Sequence, residues 1–146
     1  MCRPQSGVRR WVGRGLAIGD IDNDGRMDAV VTTNDGPLHI LHNDTTSPNH
    51  WLTLKLVGHR SNRDAIGALV KIVTAQGVQF ATVTTASSYL SSSDKRVHFG
   101  LGLDSTAKTI EIRWPSGTRQ ILENIRADQI LQVDEPSATA NERPRN

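Results

Sequence analysis

Cysteine occurs once in the 146 residues, at Cys2, which excludes an internal disulfide and any cysteine-based metal cluster. Aromatic side chains are nearly as scarce, with three Trp, two Phe and one Tyr. A nucleic-acid site would set such side chains along a basic stripe, and the body of this chain is poor in the first and mixed in charge. The net charge of +2 has a local origin: Arg3, Arg9, Arg10 and Arg14 stand in the first 19 residues without an acid, leaving 13 basic against 15 acidic groups beyond them. Nucleic acid is therefore not an expected partner. No run reaches the roughly 18 apolar residues of a membrane-spanning helix, so membrane insertion is not expected. Residues 8–16 are too interrupted by arginine and glycine to form the apolar core of a signal peptide, and any export signal is expected to lie outside the chain.

A sustained helical period is also missing. From Gly15 onward the sequence reads as short β-branched and apolar runs divided by turn residues, which predicts an all-β chain. The expected strands are 15–19, 28–33, 38–43, 51–57, 68–74, 78–85, 96–99, 109–114, 118–122 and 129–134, with one helical turn considered over 122–128. Leu52, Leu54 and Leu56 alternate with Thr53 and Lys55, the pattern of a sheet with one face packed and one wet. Asn34, Asp35 and Gly36 suit a hairpin, as do Ala75, Gln76 and Gly77, and Pro115, Ser116 and Gly117 suit a three-residue hairpin with a bulge. The composition divides the chain into a basic tail (1–14), a first strand group (15–48), a second β domain (49–135) and a disordered tail (136–146), with the polar segment 44–49 as the linker.

The strongest chemical signal is acidic. Asp20, Asp22, Asp24 and Asp28 occupy positions one, three, five and nine of a loop whose sixth position is Gly25. Carboxylates so close repel one another unless a cation holds them, and Ca²⁺ takes about six to eight oxygens. Gly25 permits the sharp turn, after which the carbonyl of Arg26 can face the same centre and Asp28 can close the shell. An EF-hand would need a Glu at position twelve, where Val31 stands, and helices where strands are read. A bare solvated turn explains the acids but not their spacing.

Other groupings are weaker. His39, His42, His50, His59 and His98 are scattered, and His39 and His42 fall on opposite faces of a strand, so solvated histidines are expected. The serines between Ser87 and Ser93 lack a Gly-x-Ser-x-Gly elbow and read as a polar loop. Tyr89, Trp51 and Trp114 could form a sugar-stacking platform, against which stands plain packing in the core or between units.

The segment "GRGLAIGDIDNDGRMDAVVTTNDGPLHILHND" resembles a single FG-GAP or VCBS-type repeat, the blade unit of integrin-like β-propellers. That resemblance implies calcium ligands at Asp20, Asp22, Asp24 and Asp28 and the Arg26 carbonyl. "NRDAIGALVKI", "SSYLSSSDKRVHFGLG", "IEIRWPSG" and "LQVDEP" make residues 49–135 similar to the ASPIC/UnbV domain, which implies an extracellular or periplasmic module of adhesion or assembly without an established reaction. One repeat cannot close a propeller of about four to eight blades. The resemblance thus implies a piece of a longer protein, a truncated product, or a repeat packed as an annex on the second domain. The expected fold is a blade-like calcium hairpin followed by a small β-sandwich or barrel-like domain. The expected function is a non-catalytic, calcium-binding scaffold with a protein or glycan partner, and exposed blade surface would favour self-association. A carbohydrate-binding module and a hydrolase part are the rival readings; the second would need two carboxylates across a cleft, and the dense acids are already committed to the ion.

Overall fold

A computed structural model describes residues 12–137. Residues 1–11 of the basic tail and 138–146 of the expected disordered tail lie outside them. Ten strands follow in order: β1 (Gly13–Gly19), β2 (Asp28–Thr33), β3 (His39–Leu41), β4 (His50–Val57), β5 (Leu69–Val73), β6 (Val78–Thr82), β7 (Val97–Gly102), β8 (Thr106–Arg113), β9 (Arg119–Arg126) and β10 (Gln129–Asp134). No helix occurs among the described residues, and none is therefore long and apolar enough to cross a membrane. The helical turn considered over 122–128 is instead the end of β9 and a tight reversal, with Asp128 at φ 58° and the Ala127 amide donating to the Ser105 carbonyl. Asp tolerates that left-handed conformation. The tail expected over 1–14 also ends early, because Gly13 and Arg14 belong to β1.

β4, β7 and β10 form one sheet in the order β10-β4-β7, and β5, β6, β8 and β9 form another in the order β6-β5-β8-β9. The core is one cluster drawn from both sheets: Leu52, Leu54 and Leu56 of β4 and Val97, Phe99 and Leu101 of β7 meet Val70 and Ile72 of β5 and Ile110 and Ile112 of β8. Each such side chain contributes roughly 1.5–3 kcal/mol of burial free energy. The result is a sandwich of two open sheets, not a closed barrel. Its hairpins are those the turn residues require: Gly117, at φ 89°, closes β8 to β9, and the Thr74 amide donates to Gly77 to close β5 to β6.

The end of the sandwich is clasped by a buried acid. Glu135 Oε2 accepts from the backbone amides of His59, Arg60 and Ser61 at 2.8, 2.8 and 2.7 Å, and Oε1 accepts from the hydroxyls of Ser61 and Ser116 at 2.9 and 2.5 Å. Burial alone would raise its pKa, but these bonds overcome burial and hold the carboxyl at about 2.

β1, β2 and β3 make a separate three-stranded antiparallel sheet. It buries little of its own: Leu16, Ile18, Leu38, Ile40 and Leu41 are all exposed. It is held against the sandwich along the outer edge of β1. The Asp94 amide donates to the Ile18 carbonyl at 2.9 Å, and the Ile18 amide donates to Ser93 Oγ at 3.1 Å. Gly15 permits the approach, since a Cβ there would lie 2.5 Å from Ser91 Oγ. The simple reading of β4 needs one correction: Thr53 points to the face expected to be wet, yet it is buried and shares a hydrogen bond of 2.9 Å with His98 Nδ1.

Candidate metal centre

The loop between β1 and β2 contains all four spaced aspartates, and its tight path is fixed by its own carboxylates. Asp20 accepts from the amides of Asp24 and Gly25 at 3.0 and 2.9 Å, as short acidic side chains do in turns. Asn23 at φ 63° and Gly25 at φ 86° take left-handed conformations within it. Gly25 is also required by packing, because a Cβ there would lie 1.9 Å from Cε2 of Trp51.

Two overlapping triads result. One ligand oxygen each from Asp20, Asp22 and Asp24 lies within 4.8 Å of the others, and Asp22, Asp28 and His42 satisfy the same limit. Asp22 is common to both. Asp24 Oδ2 is buried and makes no hydrogen bond, although the Arg26 guanidinium presses against it as an ion pair without hydrogen-bond geometry. Asp28 is buried and braces the loop, accepting from the Ile21 amide at 3.0 Å and the Asn43 amide at 2.8 Å. The Asn43 amide, with Ile21, holds the Asp28 carboxyl below the ordinary carboxylate range. The hydrogen bond from His42 Nε2, at 2.9 Å, does the same for Asp22, and Asp22 in turn raises the His42 imidazole. Arg26 contributes its side chain as well, with Nε donating to the Asn43 carbonyl at 2.7 Å.

His42 is exposed, as expected of a solvated histidine, but its ring is paired with Asp22. The alternation argument compared it with His39 alone, while its partner lies 20 residues back in the loop. Arg96 is the other functional side chain that sequence reasoning missed. Its Nε pairs with Asp94 at 2.5 Å, Nη1 donates to Asn23 Oδ1 at 2.6 Å and Nη2 donates to the Asp20 carbonyl at 2.7 Å. No local signal marks it, since the loop it grips is more than 70 positions away.

The three aromatics have separate fates. Trp114 is buried, with Nε1 donating to Gln120 Oε1 at 3.0 Å, so it offers no face to a ligand. Trp51 stacks beside His98, with ring centroids 6.0 Å apart, and lines a groove of about 600 Å³ with Asn43, Thr45, Asn49, His50 and Asp128. Tyr89 is exposed on the tight turn from Ser88 to Ser91 and lines a different, smaller cavity with Arg14 and Thr32. The surrounding serines bond locally: Ser87 and Ser93 share a hydrogen bond of 2.7 Å, and Ser91 Oγ donates to the Tyr89 carbonyl.

A model of the family described as ASPIC and UnbV matches residues 58–140, more than half of the chain. Cartilage acidic protein 1 of Homo sapiens is 28% identical over 125 residues, covering 83% of this chain and 18% of that protein. Its counterpart in Xenopus tropicalis is 29% identical over 131 residues, covering 85% and 20%. The chain thus spans about a fifth of the length of these relatives. With β5 to β10 inside the matched region, the chain belongs to the ASPIC and UnbV family.

Proposed function

We propose that this chain is a calcium-stabilised, non-catalytic binding or scaffold module of a larger extracellular or periplasmic protein. Its acidic segment is a single FG-GAP or VCBS-type repeat, in which Asp20, Asp22, Asp24 and Asp28 and the carbonyl of Arg26 hold one Ca²⁺. The observation that carries this reading is the convergence of Asp20, Asp22 and Asp24, whose ligand oxygens lie within 4.8 Å of one another. The donor set is carboxylate oxygen, which suits a hard cation, and the loop is curved as such a shell requires. The ion supplies charge neutralisation and a cross-link within the loop. His42 serves as the partner that orients Asp22, as an outer hydrogen bond does for a metal-binding carboxylate. Relatives named for cartilage favour an extracytoplasmic setting. The exposed Leu16, Ile18 and Ile40 favour association with a neighbouring repeat, a protein partner or a second copy.

Isothermal titration with calcium tests the assignment, with Asp22→Asn as the informative variant. Asp22 belongs to both triads, whereas Asp28→Ala would also break two bonds that shape the loop. The wild-type chain is expected to bind one Ca²⁺, on the order of 10⁻⁴ to 10⁻³ M as extracellular modules do, and the variant to bind at least about tenfold more weakly. No binding to the wild-type chain, or equal affinity in both, would reject the reading.

Glycan recognition is the second reading, and the Trp51 groove is its specific support, because an aromatic there stands among amide, hydroxyl and carboxylate groups. Glycan-array binding that Trp51→Ala abolishes would favour it over a plain scaffold.

A further inference from the structure

We infer that the outer face of the β10-β4-β7 sheet carries a preformed site for an acidic peptide segment, with Lys55 and Arg63 as its anchoring cations. A groove of about 610 Å³ lies there, floored by Lys55 and Val57 of β4 and Ile130 and Gln132 of β10. It begins where the coverage of Trp51 and Thr53 ends, so the same sheet face that is closed at one end is open at the other.

Both walls are rigid. The first is the loop that presents Arg63 and Asp64. Behind it, Glu135 holds the amides of residues 59–61, and the Asn62 side chain clamps Ile66 with two hydrogen bonds of 2.8 and 2.9 Å. Ala65, fully buried, sits at φ 53°, a left-handed conformation that costs a residue with a Cβ energy and persists only where its surroundings impose it. The second wall is Ser93 to Arg96, fixed to β1 through Ile18 and to the acidic loop through Arg96. A site whose walls need no ordering on binding keeps more of its interaction energy as affinity.

The charge of the groove selects the ligand. Lys95 is paired with Asp64 at 2.5 Å, and Arg96 with Asp94 at the same distance. Among the described residues, Lys55 and Arg63 have no such partner, and both are exposed. Two free cations above the apolar Val57 and Ile130 suit a peptide that alternates carboxylates with apolar side chains. A dense polyanion, such as a sulfated glycan, brings charge without the apolar side chains that Val57 and Ile130 would cover.

The test is fluorescence anisotropy of the whole chain with a fluorescein-labelled decapeptide alternating glutamate and leucine. Its glutamine counterpart and a heparin hexasaccharide serve as comparisons. The acidic peptide is expected to bind with an affinity that falls as salt rises, the glutamine peptide not to bind, and Lys55→Gln with Arg63→Gln to weaken binding at least about tenfold. Arg63→Gln alone, at an exposed position, guards against loss of fold in the double variant and should weaken binding in the same direction. No binding of the acidic peptide at millimolar concentration, undiminished binding to these folded variants, or preference for the heparin hexasaccharide would overturn the inference.

Discussion

The guanidinium of Arg96 donates to the backbone carbonyl of Asp20 at 2.7 Å across 76 positions of sequence, tying the first carboxylate residue of the acidic loop to the sandwich. Arg96 and the edge contact at Ile18 together explain how a three-stranded sheet that buries almost no core of its own keeps a fixed place.

Loss of that tie should loosen the loop and β1 while leaving the sandwich intact. Arg96→Ala removes three hydrogen bonds from a charged group, of which the part-buried one to the Asp20 carbonyl is worth about 1.5–3 kcal/mol and the two exposed ones less. Amide hydrogen exchange should accelerate over residues 13–28 and stay slow over β4, β5 and β8. Equal acceleration across the chain would contradict this division.

Glu135 gives the sandwich a defined acid sensitivity. Its carboxyl moves from the usual 4.5 to about 2 on folding, so its contribution is fully present above pH 4.5 and is lost as pH falls through 2. The shift corresponds to roughly 3 kcal/mol. Glu135→Gln should therefore be less stable than wild type at neutral pH, and the gap should close between pH 4.5 and 2. Parallel denaturation curves across that range measure it, and a gap independent of pH would assign the clasp to shape alone.

At Gly25 two costs coincide. An alanine there would be strained at φ 86° and would drive its Cβ into the Trp51 ring. Gly25→Ala is expected to cost about 2 kcal/mol or more and to shift tryptophan fluorescence as Trp51 moves. A melting temperature within a degree of wild type would mean that the loop is not seated on Trp51.

Calcium should stabilise the loop by mass action. At 100 times the dissociation constant the gain is about 2.7 kcal/mol, visible as a higher melting temperature that a chelator reverses. An unchanged melting temperature with and without excess calcium would remove the structural role proposed for the ion.

Ten strands were legible because alternation and turn residues are local signals. Asp28–Thr33 and Gln129–Asp134 stand where the sequence places them, and Gly117 closes the hairpin that Pro115 opens. β9 reaches Arg126, four residues beyond its expected end, because Ile125 packs against the core where a local reading saw a helical turn. What was not legible is what depends on distant pairing. β10 lies parallel to β4 with Leu131 opposite Leu54, and nothing near either strand announces the other. Glu135 falls at the last position of the expected domain, and nothing in the sequence near it announces that the amides of residues 59–61 converge on its carboxylate. At the acidic loop, spacing revealed the four aspartates, while His42, Asn43 and Arg96 come from outside it and are brought there only by the fold.

The parallel pairing of β4 with β10 also bears on how the sandwich would meet tension. The chain enters the sheet at His50 and leaves it after Asp134, at opposite ends of two strands that run in the same direction. A pull along the chain between those points loads the ladder from Gln129 to Asp134 in shear, so its bonds must yield together, whereas an antiparallel hairpin pulled at its open end unzips one bond at a time. Loaded between those two points, the ladder would resist as a unit, with the Glu135 clasp at its exit.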